Sequence, residues 1–482
     1  MPRVRFGLSS RYLSLSRGVR LRRECFGGIV FDARTGTTLE IDREAMALVL
    51  TVREQGVVRE ESIFAGLVGV KSPARSRRQC AEVIDTLLEL GVLECPSPSD
   101  LAMRGTCRSA NVAEQPQSRA VSWPARPGLS APETVHWAIT YRCDARCPDC
   151  YVRRNSRSFA AELDTRDALR VVDVLAEWGV FQLAIGGGEP LLRRDLAMIA
   201  EHARQCGLAV HITTGRHQLP LGMLNDLSGG VVVLQIGIQH DALLQNAETE
   251  TVLLSQSVHA AEDQGLHVGV NLMLSNTVLA SFERLIAMLA RAGLKSITLL
   301  RYKPPAEPAR WRRENPSREA MGDLEQLLPE VGARHPEIAF RIDCAASFLQ
   351  RRLPPATAHL AGIRGCAAAN RILALVPDGS IFPCSQLIHP DLRAGNILTD
   401  DPGAIWTDSA IMMKYRFFRE GSNFRESKCG VCAARSYCGG CRLFARDAWG
   451  AEPECPAGQR TQGNGELDYE DTEHSTRLHV GS

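Results

Sequence analysis

Lysine is nearly absent. Of 56 basic side chains only Lys71, Lys295, Lys303, Lys414 and Lys428 are lysine, and the rest are arginine, a bias that fits a GC-rich genome better than a phosphate-binding face. An excess of either charge is also lacking. The 56 basic and 55 acidic groups leave a net charge of +1, so no global field recruits nucleic acid. No apolar run approaches the roughly 20 residues that span a bilayer, which argues against an integral membrane protein. A charged segment leading into an apolar one, as in a secretory signal, does not open the sequence. The first 23 residues hold seven arginines and no acid. That composition also fits a transit peptide, but the alternation of Val4, Phe6 and Leu8 favours a strand. Cysteine, by contrast, is plentiful, with 16 in 482 residues. In a short secreted chain they would read as disulfides. In a chain this long they read as metal ligands in a reducing cytoplasm.

With 44% apolar and 23% charged residues, the chain is a soluble globular protein of two or three domains. Residues 1–97 read as an α+β unit. Ile29–Phe31 and Thr38–Ile41 flank a five-residue hairpin loop ending at Gly36. Asp42 is placed to cap a helix with Ala45, Leu48, Val49 and Val52 on one face. A second helix carries Ile63, Phe64, Leu67 and Val68. A third opens on the capping box Ser76–Gln79 and buries Cys80, Val83, Ile84, Leu87 and Leu88. A hairpin with three helices is winged-helix-like. Residues 98–132, rich in Pro, Ser, Arg and Ala, read as a linker.

From residue 133 to 343 strand and helix signals alternate. Strands are expected at 134–141, 180–185, 208–213, 231–238, 267–274, 296–301 and 338–342. Helices are expected at 162–177, 192–205, 249–265, 279–292 and 317–333. Such repetition implies a parallel sheet closed wholly or partly into a barrel, with the site at the carboxyl ends of the strands. Residues 344–462 are irregular and cysteine-rich, and 463–482 form a polar tail.

Two cysteine patterns carry chemistry. Cys143, Cys147 and Cys150 follow the first barrel strand directly. Three thiolates hold three irons of a cubane and leave the fourth open to a ligand. A zinc knuckle is disfavoured, because structural zinc wants four closed ligands and no histidine lies near. One βα unit later comes Gly186-Gly-Gly-Glu189-Pro190, with glycines for close backbone approach and a carboxylate for an ammonium group. The second pattern is Cys366, Cys384, Cys429, Cys432, Cys438, Cys441 and Cys455. Its Cys429–Cys441 quartet alone would also suit a zinc ribbon.

The CxxxCxxC spacing followed by GGEP resembles the radical S-adenosylmethionine superfamily, and the later pattern resembles its SPASM extension. The resemblance covers residues 134–460. It implies a partial (β/α)6-type barrel, between the N-terminal winged-helix-like α+β domain and a C-terminal cluster-binding domain. It further implies three 4Fe–4S clusters and S-adenosylmethionine. Cys143, Cys147 and Cys150 would hold the first cluster, and Gly187, Gly188 and Glu189 would meet the cosubstrate's amino group. Thr214, Gln239, Asn276 and Arg301 fall where the family places further cosubstrate contacts. Cys429, Cys432, Cys438 and Cys455 would hold an outer auxiliary cluster. Cys366, Cys384 and Cys441 would hold an inner one, with Cys344 the best candidate for its fourth ligand.

The chain departs from the family at Asp149, where an aromatic residue or histidine is usual, and at Cys438–Cys441, where two residues intervene and the family pattern has three. The N-terminal plan is similar to the leader-recognition domains of peptide-maturation systems. The implied function is therefore modification of a ribosomally made precursor peptide by cross-linking, oxidation or backbone excision. The implied reductant is a flavodoxin or ferredoxin, and the implied compartment the cytoplasm. Two other functions suit the same motifs. One is a maturase installing thioether cross-links or formylglycine in an enzyme subunit. The other is an iron–sulfur sensor binding DNA through Arg75, Arg77 and Arg78. Against DNA, residues 1–100 balance 15 basic with 13 acidic groups.

Overall fold

The computed structural model describes residues 11–67, 73–96, 123–124, 128–154, 161–238, 240–360, 362–445 and 449–457. The chain divides into two compact units, Met1–Ser130 and Ala131–Ser482.

In the first unit the expected hairpin is present. Strands β3 (Gly27–Asp32) and β4 (Thr37–Asp42) pair antiparallel with Asp32 opposite Thr37, and β2 (Val19–Glu24) lies on the far side of β3. Asp42 caps helix α1 (Arg43–Gln55) by accepting from the Ala45 amide at 2.8 Å. Helices α2 (Glu60–Leu67) and α3 (Pro73–Glu89) follow. Helix α3 begins before Ser76, so the expected capping box lies inside it. A second small sheet went unforeseen. Strand β1 (Tyr12–Leu15) pairs antiparallel with β5 (Val57–Arg59) and β6 (Leu93–Glu94). These strands are too short for an alternation to register. They clamp a core of Leu13, Leu48, Val49, Val52, Val58, Ile63, Ile84, Leu87 and Leu93. Each such side chain contributes about 1.5–3 kcal/mol on burial. The strand expected from Val4 to Leu8 lies outside the described residues.

The second unit is built on one sheet. Strands β7 (Thr134–Thr140), β8 (Gln182–Gly187), β9 (Ala209–Thr214), β10 (Val233–Gly237), β11 (His267–Leu274), β12 (Ser296–Arg301) and β13 (Ala339–Ile342) pair in chain order, all parallel. Strand β14 (Ile372–Leu375) adds in parallel beside β7, and β15 (Ser380–Phe382) and β16 (Gly395–Asn396) complete the sheet antiparallel. The sheet stays open, with β13 at one edge and β16 at the other, as a partial barrel requires. Successive strands are joined through helices, among them Thr165–Trp178, Leu196–Gln205, Ala247–Asp263, Phe282–Arg291 and Arg318–Arg334. Their apolar faces meet Val135, Leu183, Val210, Leu234, Val270 and Ile297 in a continuous core. Among the described residues no helix is long and apolar enough to cross a membrane.

Beyond β16 regular structure thins and arginine takes over. Arg419 donates to the carbonyls of Cys438, Arg364 and Arg435, Arg442 to those of Gly439 and Gly450, and Arg416 to that of Ala369. Arg442 also lies 4.4 Å from the Phe418 ring centre and Arg416 4.2 Å from that of Trp406. A planar fork of five donors that stacks on aromatic faces does this work; lysine does not.

Candidate cluster and cosubstrate site

The three-cysteine loop leaves the carboxyl end of β7. Cys143 is exposed, and Cys147 and Cys150 are half-buried. Burial raises the Cys143 and Cys147 thiols, and the neighbouring thiols raise them further, so the three groups lie within each other's field. Three thiols on one loop, Cys147 and Cys150 of them lining a cavity, are a donor set that fits an iron–sulfur cluster with one open iron.

The GGEP loop is tied to the start of this cysteine loop by main-chain bonds, Gly188 N to Thr140 O at 2.8 Å and Glu189 N to Arg142 O at 2.9 Å. Such proximity is what the glycines permit. A Cβ on Gly187, whose φ is +112°, would stand 2.3 Å from the Thr140 oxygen, and one on Gly188 2.2 Å from that of Arg142. Gly186, by contrast, faces open space and lines the cavity. Buried Glu189 accepts from Thr214 Oγ1 at 3.0 Å, the Gly215 amide at 3.0 Å and the Leu191 amide at 3.1 Å. Arg216 binds Asp144 at 2.7 Å and Arg193 reaches the Ile139 carbonyl at 3.1 Å, so the ends of β7, β8 and β9 form one connected rim.

Asp149 is fully engaged. It accepts from Tyr302 Oη at 2.6 Å and from Arg310 at 2.7 and 2.8 Å, and Arg310 also reaches Asp241 at 3.1 Å. Burial pushes the Asp149 carboxyl up, but Arg310 and Tyr302 outweigh it and hold the group below the usual carboxylate range. The acid that stands in place of an aromatic residue thus anchors the loop through an ion pair instead of stacking.

Within the sheet lies a cavity of about 560 Å³. Its wall comes from alternate strand positions, His136, His211, Gln235, Asn271 and Thr298, whose sequence neighbours face the core. This period-two placement of polar residues, between apolar neighbours on each strand, is the signal the sequence carries for the wall. Burial holds both His136 and His211 neutral, with their pKa values lowered to about 4.

Two of the expected cosubstrate contacts, Arg301 and Asn276, lie away from this cavity. Arg301 does not line the cavity. It is buried, lies 3.3 Å from the Phe444 ring centre, and binds Glu452 at 2.7 Å and Glu454 at 2.8 Å. The register of β12 turns Arg301 to the side opposite Leu300. Asn276 is also away from the cavity, donating to the carbonyls of Arg313 at 2.8 Å and Asn315 at 3.2 Å. Thr214 lines the cavity, and Gln239 lies outside the described residues.

Eight of the remaining cysteines sort into two groups. Cys344, Cys366, Cys384 and Cys441 lie within one another's electrostatic reach, as do Cys429, Cys438 and Cys455. Cys432 joins the second group at Tyr437, whose hydroxyl feels both Cys432 and Cys438. Donors reach several sulfurs: the amides of Glu452 to Cys429 at 3.3 Å, Ala434 to Cys432 at 3.4 Å and Gln386 to Cys384 at 3.5 Å. The Ser347 hydroxyl donates to Cys438 at 3.4 Å. Such donors suit thiolate ligands. The short Cys438–Cys441 spacing is bridged by Gly439 and Gly440, with φ of +74° and +73°, which lets adjacent cysteines turn into different groups.

Comparison with known proteins agrees with this geometry. Residues 137–243 match the Radical SAM superfamily model, and 366–439 match SPASM, an iron–sulfur cluster-binding domain. The mycofactocin maturase MftC of Mycobacterium tuberculosis (strain CDC 1551 / Oshkosh) is 25% identical over 346 residues, spanning 69% of this chain and 84% of that one. The PqqA peptide cyclase of Methylobacterium sp. (strain 4-46) is 26% identical over 348 residues, 68% of this chain and 87% of that one. Among solved structures, Streptococcus suis SuiB bound to precursor peptide SuiA superposes with a TM-score of 0.62. It shares 15% identity and covers 92% of this chain and 99% of its own. The chain thus carries a radical S-adenosylmethionine domain followed by an iron–sulfur SPASM domain.

Proposed function

We propose that this protein is a radical S-adenosylmethionine peptide maturase. The observation that carries the reading is the single rim formed by the three-cysteine loop, the GGEP turn and Glu189 at the carboxyl ends of parallel strands. It is supported by relatives named as a maturase and a peptide cyclase, and by a fold shared with a precursor-peptide complex. Cys143, Cys147 and Cys150 hold the first 4Fe–4S cluster. Cys344, Cys366, Cys384 and Cys441 hold an inner auxiliary cluster, and Cys429, Cys432, Cys438 and Cys455 an outer one. S-adenosylmethionine bound at the first cluster supplies, on one-electron reduction, hydrogen-atom abstraction from the substrate.

The chain's own residues do the rest. Glu189 accepts from the cosubstrate ammonium, exchanging its present Thr214 and Gly215 donors for it, and Gly186 admits the cosubstrate to the wall. Asp149, locked by Arg310 and Tyr302, fixes the loop backbone. Neutral His136 and His211, with Gln235 and Asn271, form a polar wall that excludes bulk water from the reacting carbon. The first unit binds the leader of the peptide by strand addition, a flavodoxin or ferredoxin delivers electrons, and the protein works in the cytoplasm.

The test is co-production with short peptides encoded in neighbouring reading frames, followed by mass spectrometry. One peptide is expected to change mass with the parent enzyme and not with a variant lacking residues 1–97. That truncated enzyme should still cleave S-adenosylmethionine in the presence of reductant, because every proposed ligand lies beyond residue 142. A truncated enzyme that modifies the peptide at the parental rate refutes leader binding.

A further inference from the structure

Lys303 is the only lysine or arginine lining the cavity among the described residues. Just past the end of β12, it is 7% exposed. Its ammonium lies 3.6 Å from Asp343 Oδ2 and 5.0 Å from the centre of the Tyr151 ring. Asp343 is itself partly committed, since its Oδ1 accepts from the Ala345 amide at 2.6 Å. An ammonium has three donors. Among the described residues none of those on Lys303 meets an acceptor within hydrogen-bonding distance. Burying such a group unbonded is costly, so the arrangement calls for an acceptor from outside the chain. Asp343, Cys384 and Cys344 lie behind Lys303, and on the wall the acids Asp149 and Asp241 are both paired with Arg310, which leaves Lys303 the one lysine or arginine facing a guest among the described residues. The Asp149 carboxylate is taken up by Arg310 and Tyr302, and His136 and His211 are neutral. Two more wall atoms, His211 Nε2 and Gln235 Oε1, are buried without a partner and offer neutral contacts to the same guest.

We infer that Lys303 anchors the substrate by a carboxylate, carried either on an acidic side chain of the peptide or at its C-terminus. This rests on the peptide-maturase reading and narrows it. The enzyme acts on a residue at or next to a carboxylate, held between Lys303 and the neutral floor. Beside the 3.6 Å pairing with Asp343 the ammonium keeps donors free of hydrogen bonds, and a carboxylate takes them up with a charge attraction that its amide isostere, a neutral acceptor, does not supply.

The test is binding, with no turnover. Cluster-loaded enzyme with S-adenosylmethionine and no reductant is titrated by saturation-transfer NMR with three probes. N-acetylglutamate α-amide carries a side-chain carboxylate, N-acetylglutamine a terminal one, and N-acetylglutaminamide neither. One charged probe is expected to bind at least tenfold more tightly than the neutral one, and which of the two does so identifies the source. Lys303→Met should erase the discrimination, and Lys303→Arg should retain part of it. Equal binding of all three probes to the parent overturns the inference, whether or not the variants fold. So does a Lys303→Met enzyme that keeps the discrimination and loses affinity for S-adenosylmethionine instead, which would make Lys303 a cosubstrate contact. If no peptide is ever modified yet the charged probe is preferred, the carboxylate site stands and the maturase reading fails alone.

Discussion

The two cysteine-bearing regions of the second unit solve opposite problems. In the loop after β7, Cys143 is exposed, Cys147 and Cys150 are half-buried, and the supporting contacts come from backbone and an ion pair at the rim. In the C-terminal region Cys366, Cys438 and Cys441 are buried, amide and hydroxyl donors reach the sulfurs, and arginines clamp the surrounding carbonyls. Under the proposed function, the first site must admit and release a cosubstrate and stays open on one side, while the second only holds clusters, is closed, and takes the place of a core where helices and strands are few. The contrast predicts that the first region can be damaged without unfolding anything, while the second cannot.

The largest effect tests the open side. Replacing Cys143, Cys147 and Cys150 together with Ala should abolish S-adenosylmethionine cleavage and remove about four of some twelve irons per chain. Iron analysis and assay of 5′-deoxyadenosine check it. The thermal unfolding midpoint should barely move. A variant that also loses the auxiliary clusters would show that the two regions do not stand apart.

The closed side breaks differently. Arg301→Met leaves Glu452 and Glu454 buried without the guanidinium that pairs both, and Glu452 also accepts from the Cys441 amide at 3.1 Å. Removing one partner of a buried ionic group costs about 3–5 kcal/mol. Anaerobic denaturant titration should register that loss, with auxiliary iron released before the first cluster. An Arg301→Met protein as stable as the parent would reduce the triad to a bystander.

How much of this was legible beforehand depends on whether partners lie near in sequence. The cysteine spacings, the GGEP turn and the Asp42 cap are local, and each lies where its residues imply. Strands β11 and β12 run over the expected residues, because alternation and length agree there. What failed was non-local. Nothing near Asp149 announces Arg310 or Tyr302, more than 150 residues on, and nothing near Arg301 announces Glu452. Being at a strand's carboxyl end puts Arg301 on the right side of the sheet, but only the strand register decides whether its side chain enters the cavity. Lys303, two residues later, enters it.

Acid separates the regions by another route. The pKa values of His136 and His211 are lowered to about 4, by burial first and then by neighbouring charge, Lys303 for His136 and Arg341 for His211. The unfolded chain therefore takes up protons that the folded one refuses. Stability is fully present above pH 6.5 and is lost as pH falls toward 4, by up to about 3 kcal/mol per histidine. The arginine clamps of the C-terminal region keep their charge throughout. Unfolding free energy followed from pH 7 to 4 should fall less steeply in His136→Gln than in the parent. Parallel curves would mean that His136 titrates normally in the folded state.

The smallest change is expected from Cys344→Ala, and it is the finest probe of where the closed region ends. Cys344 begins a 3-10 stretch, Cys344–Gln350, that Asp343 caps. It precedes the SPASM match, so no motif claims it. Burial raises its thiol well above the ordinary value, and Asp343, Cys366, Cys441 and Cys384 raise it further. A thiol so placed among three others either serves a cation as thiolate or stays protonated as packing. As the fourth ligand of the inner cluster, its loss should shift that cluster's EPR signal and release at most about one iron per chain. S-adenosylmethionine cleavage should continue, since the open site is untouched. Cys206→Ala provides the control. Cys206, at the end of helix Leu196–Gln205, lies 3.7 Å from both His202 and Asp173, so its removal should leave the spectrum alone. If Cys344→Ala and Cys206→Ala spectra both match the parent, the inner cluster has only three protein ligands and the second region is open as well.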